Sequence, residues 1–200
     1  MDLAHMALGC IVGLGLAAAC GFRIFVPLLI LSIAGNTGHI TIAQNMDWIA
    51  SPAAIAAFSV ATGLEIAGYY VPWIDNMLDT AATPAAIIAG SLATASFAVD
   101  VHPMIQWSVA IIGGGSVAGI TQAATVVTRA LSSVTTAGFG NPVVATVETT
   151  SSLAITLLLV ILPITIGAAL VGLLLFLIVR FFLKRRAAKR MITNASPIAA

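Results

Sequence analysis

Four charged side chains fall inside long apolar runs of this sequence: Arg23, Glu65, Arg129 and Glu148. A guanidinium keeps its charge at any cellular pH, and Arg23 stands in the middle of the run from Met6 to Ala34. Charge in such a setting is costly unless it meets a partner or water, so each of the four marks a candidate pathway or a structural ion pair. Two basic and two acidic groups can neutralise one another, with Glu148 or Glu65 expected opposite Arg23. Arg129, nearer the end of its run, could instead snorkel to the interface. Paired charges inside a bundle can line a route for an ion or small polar solute. They can equally orient helices and transport nothing.

Other chemistry finds little support. Gly13-x-Gly15-x-x-Ala18 has the look of a dinucleotide fingerprint, but it lies within an apolar run with no strand before it. His5, His39 and His102 are isolated and supply no metal set, and Cys10 and Cys20 have neither metal nor redox spacing. No Ser, His and acid arrangement suggests hydrolysis. No catalytic residue, metal or cofactor is therefore expected, and an enzyme is not expected. Asp75 and Asp79, four apart, could meet a cation together; they read more simply as interfacial acids on a solvated helical face.

The elements that must hold these groups follow from composition. Of 200 residues, 60% are hydrophobic and 8% charged, whereas soluble domains carry close to a quarter charged residues. Abundant small residues and the absence of strand-like alternation exclude a barrel and predict an all-α, polytopic transmembrane helix bundle. Ser51-Pro52, Thr83-Pro84 and Asn141-Pro142 each read as a cap followed by a first-turn proline. They predict six segments, near 4–34, 52–71, 84–99, 104–131, 142–162 and 163–183. Pro163 interrupts the final run, which gives five crossings if that run is one tilted helix.

Gly21 and Pro27 flank Arg23, and Pro27 should kink the first helix or divide it into two half-helices. The pairs Gly9/Gly13 and Gly115/Gly119 predict close helix contacts. Trp48, Tyr69, Tyr70 and Trp73 read as interfacial anchors, and residues 71–79 as an amphipathic turn on the membrane surface. The polar stretch from Leu131 to Ser152 must be buried in protein or line water. Each half of the chain, 4–99 and 104–183, holds one Arg and one Glu. Three helices per half would make an inverted repeat, with a site near the midplane.

Six of the eight basic residues lie between Arg180 and Arg190. They fix that end as cytoplasmic in a multi-pass protein of the cell inner membrane, with residues 1–183 one domain and 184–200 a disordered basic tail. A nucleic-acid partner is not expected, because a stop-transfer anchor explains the tail. The first segment lacks a basic leader and reads as retained. Expected partners are membrane lipids, an ion or small polar solute, and a homo-oligomer or larger membrane assembly. Two rivals stand beside the pathway reading: an accessory subunit docking through glycine and alanine faces, and a protein whose arginines handle anionic lipid.

Gly15…Gly21-x-Arg23-x-x-x-Pro27, Leu64-Glu65 with Pro72-Trp73-Ile74-Asp75 and Asp79, and Asn141-Pro142 with Glu148 together resemble a family of small bacterial integral membrane proteins catalogued as a domain of unknown function. The resemblance spans most of residues 9–165. It departs at Tyr69 and Tyr70, where the family pattern carries an acid and a lysine, and at Thr149, where it carries a second acid. The resemblance implies a membrane location and names no substrate.

Overall fold

The computed structural model describes residues 3–161 and residue 180, with side chains from residue 8 onward except at 72, 73 and 75–77. Residues up to Val160 form one compact unit; 161–200 form a second, nearly all of it outside the described residues. The expected sixth segment, Pro163 and the basic tail lie there. Every regular element among the described residues is helical: α1 Leu3–Phe22, α2 Phe25–Asn36, a 3₁₀ segment Gln44–Ala50, α3 Pro52–Tyr69, α4 Pro72–Phe97, α5 Pro103–Thr136 and α6 Asn141–Ile161.

Four stretches are long and apolar enough to cross a membrane, namely α3, Leu78–Phe97 within α4, α5 and α6; α1 and α2 contribute shorter apolar helices. The surface agrees with a multi-pass membrane protein. Val60, Leu64, Ile112, Val147 and Leu158 are exposed, while Arg23, Ser32, Gln106, Gln122, Glu148, Ser152 and Thr156 are buried. Apolar outside and polar inside is the arrangement lipid selects.

The first apolar run divides, as Pro27 requires, but the break falls at Arg23–Ile24. A helical proline clashes with the carbonyl four residues earlier, and here that residue is Arg23. The expected start at Thr83-Pro84 is corrected. α4 begins at Pro72 and runs through Pro84, so residues 72–79 are its first turns and not a separate surface element. A membrane helix tolerates an internal proline where neighbouring groups satisfy the freed backbone. α5 also runs past the expected 131, to Thr136, and carries a π-helical turn at Ala110–Gly115.

Ser51 caps α3 as its sequence suggests, accepting the Ala54 N–H at 3.1 Å. Ser51→Ala is expected to lower the melting temperature in detergent, through a loss of about 1 kcal/mol.

α4 is the element on which α1 and α5 pack. A Cβ on Gly9 would meet Phe97 O at 2.8 Å, and one on Gly13 would meet Thr94 Cα at 3.1 Å. Gly115 and Gly119 face Ser91 and Ile87 of the same helix. Thr94 Oγ1 donates to Gly13 O at 3.1 Å, a hydrogen bond that only close backbones permit. At one end, Asn45 and Gln106 exchange amide hydrogen bonds of 2.8 and 3.1 Å, and Gln106 also donates to Ala95 O. These bonds tie the 3₁₀ segment to the end of α4 and the start of α5.

Candidate functional site

Five elements converge on one charged cluster. Arg23 comes from the α1–α2 break, Tyr69 from α3, Asp79 from α4, Arg129 from α5 and Glu148 from α6. Glu148 binds both guanidiniums. Its Oε1 accepts from Arg129 Nε at 3.1 Å, its Oε2 accepts from Arg129 Nη2, and Arg23 Nη2 lies 3.5 Å from Oε2. This two-pronged engagement of Arg129 is the geometry a planar guanidinium is built for. Arg129 Nη1 also reaches Asp79 Oδ1 at 3.1 Å.

Arg23 is fully buried. Its Nε donates to Thr149 Oγ1 and its Nη2 to Ala145 O, each at 2.8 Å. Nη1 has no hydrogen-bond partner among the described residues. A buried guanidinium N–H left unmet is costly, so that atom asks for water or a solute. Tyr69 is also buried, and its ring centroid lies 4.1 Å from Arg23 Cζ and 3.8 Å from Arg129 Cζ. Both cations thus rest on one aromatic ring.

Glu65 does something different. Its Oε1 accepts the Ile24 N–H at 2.7 Å and its Oε2 accepts the Phe25 N–H at 3.0 Å. In an unbroken helix those donors would serve the carbonyls of Cys20 and Gly21. The carboxylate therefore holds the break open and sits at the positive end of α2.

The structure thus brings Arg23, Arg129 and Glu148 into contact and sets Glu65 against backbone beside them. Arg129 does not snorkel: it is 3% exposed. The solvated-face reading of Asp79 is corrected, because the helix it rides is longer than expected and turns it towards Arg129; the Asp75 side chain lies outside the described residues. Gly21 packs against α5, where a Cβ would meet Ala118 O at 2.6 Å. Asn141-Pro142 opens α6, with Asn141 Nδ2 donating to Ser133 Oγ at 2.9 Å. The interfacial reading of Tyr69 fails, while exposed Tyr70 bonds Thr146 Oγ1 at 2.9 Å. Sequence reasoning missed Tyr69, Thr149 and the Ala145 carbonyl as ligands of Arg23. Tyr69 and Thr149 stand out in the sequence as departures from the resemblance, and neither is given a role at Arg23 there.

No curated protein and no solved structure matches this chain. A family model does, over residues 10–183. A multi-pass helical protein with that match belongs to the family described as Domain of unknown function (DUF4126).

Proposed function

We propose that the protein forms a binding site and pathway for an ion or small polar solute, centred on the Arg23–Glu148–Arg129 cluster. The observation that carries this reading is Arg23 Nη1: a donor on a fully buried cation, at a helix break, with no protein partner among the described residues. Interrupted helices that aim charge and backbone ends at a midplane site are the usual means by which membrane carriers bind solutes. The proposal includes an inverted repeat. In each half a long irregular helix, broken at Arg23 or π-distorted at Ala110–Gly115, precedes a helix with a buried glutamate. It also includes the inner membrane with the basic end cytoplasmic, and a homo-oligomer.

The accessory-subunit reading relied on exposed glycine and alanine faces. Gly9, Gly13, Gly115 and Gly119 are instead occupied inside the bundle, against α4.

The test is stopped-flow light scattering of proteoliposomes in gradients of potassium chloride, sodium phosphate and urea. At least one gradient should collapse faster than in empty vesicles. Arg23→Ala should slow that collapse by about tenfold or more, the worth of a hydrogen bond to a charged group. Wild-type vesicles that behave as empty ones in all three gradients would contradict the proposal.

A further inference from the structure

A second unmet polar group accompanies Arg23 Nη1. Gln122 on α5 is 3% exposed, yet among the described residues its side-chain amide makes no hydrogen bond. The bond it receives from Thr125 Oγ1, at 2.9 Å, goes to its backbone carbonyl. An amide brings two N–H donors and an acceptor oxygen, and burying them without partners is destabilising. A leucine of similar size would not carry that cost. The bundle retains the amide against its own stability, which asks for another use.

Gln122 stands two turns, about 10 Å, before Arg129 on the buried face of α5. On α6, Ser152 and Thr156 follow Glu148 by one and two turns and are fully buried. Both rows lead away from the Arg129–Glu148 pair, back along α5 and forward along α6. Neighbouring residues of α1 meet each of them. Gly21 packs against Ala118 and Thr121, and Ala19 O accepts from Ser152 Oγ at 3.0 Å. Thr156 Oγ1 donates to Ser152 O at 2.7 Å. These hydroxyls give their protons to backbone and keep oxygen lone pairs for another donor.

Charge ends at the cluster. Among the described residues, α1, the part of α5 before Arg129 and the part of α6 after Glu148 contain no Asp, Glu, Lys or Arg. An ion carried past the cluster would exchange its water for an amide and a few hydroxyls, with no countercharge. A neutral molecule with both a donor and an acceptor fits better. Arg23 Nη1 and the Gln122 N–H groups meet its acceptor, and the Gln122 carbonyl and the hydroxyl oxygens meet its donors. Arginine beside such a row also repels cations and protons.

We propose that the solute is a small neutral molecule that both donates and accepts hydrogen bonds, of the chemistry of urea or glycerol, and that Gln122 receives it beyond Arg23. The arginine supplies a donor without needing an anion, because Glu148 already neutralises it. The amide then supplies both halves of a hydrogen-bond exchange. This rests on the reading of the cluster as a solute site.

The experiment is stopped-flow light scattering of proteoliposomes holding the full-length protein, with urea and glycerol gradients set against potassium chloride and sodium phosphate. The wild type should collapse a urea or glycerol gradient faster than empty vesicles, and both salt gradients at the empty-vesicle rate. Gln122→Leu should slow the neutral solute by about tenfold, the worth of a lost hydrogen bond. Its melting temperature in detergent should equal or exceed wild type, since leucine replaces an unmet amide. Unchanged neutral flux in Gln122→Leu, or failure of that variant to fold, would overturn the role of Gln122, the latter because the amide would then be held by protein. Arg23-dependent collapse of either salt gradient would overturn the neutral solute and leave the pathway reading standing. No collapse in any of the four gradients would overturn both.

Discussion

Replacing Glu148 by alanine is expected to destabilise the protein by about 3–5 kcal/mol, the loss typical when one member of a buried ion pair is removed. Among the described residues Glu148 is the carboxylate that pairs with both guanidiniums, and it is 4% exposed. Without it Arg129 keeps Asp79, while among the described residues Arg23 keeps a hydroxyl, a carbonyl and the Tyr69 ring but no carboxylate within ion-pair distance. Glu148→Gln retains shape and one acceptor and should fall between wild type and alanine. Asp79→Asn should cost less, because its side chain is 15% exposed and Arg129 retains its two-pronged partner. Thermal unfolding in detergent, read as the temperature at which the monodisperse peak is lost, ranks the three. Near-wild-type stability for Glu148→Ala would mean the cluster does not hold the bundle together.

The second large effect concerns α4 and α5. A Cβ on Gly114 would meet Gly90 O at 2.6 Å and Thr94 Cβ at 2.8 Å. One of those atoms is backbone and cannot rotate away. Gly114→Leu should therefore force the helices apart, at a cost of about 3 kcal/mol or more, the upper end of overpacking penalties. Gly63 is the matched control. It is also helical, yet a Cβ there meets nothing within 4 Å, so Gly63→Leu should leave expression and melting temperature close to wild type. Equal effects of the two substitutions would remove the packing explanation.

Some of this arrangement is legible in the sequence because it rests on local chemistry. A serine before a proline caps a helix wherever it stands, and Ser51 does so. A charge inside an apolar run must be buried among partners, and Arg23 is. Small-xxx-small pairs face another helix, and Gly9, Gly13, Gly115 and Gly119 face α4. The misreadings come from one ambiguity carried forward. Thr83-Pro84 has the same residue types as Ser51-Pro52, and only tertiary context shows that a helix already runs through it. Placing the helix start twelve residues late left Asp79 on an apparent surface turn, away from Arg129. The same logic hid Tyr69: beside a proline and a tryptophan, an interfacial tyrosine and a buried one have identical neighbours in sequence. Glu65 was recognised as a buried charge, but its partner could not be. A carboxylate bound to backbone N–H groups has no complementary residue to find, and the break it holds lies upstream of the proline that causes it.

The claim on which the functional reading turns is that Arg23 presents an unmet donor to something other than protein. An experimental map of the protein in lipid nanodiscs, at a resolution that shows ordered water, tests this most directly. Non-protein density within hydrogen-bond distance of Arg23 Nη1, lost in Arg23→Ala without movement of α6, is the predicted result. A protein carbonyl or carboxylate filling that position, with no room for a solute, would contradict it and leave the cluster a structural clamp.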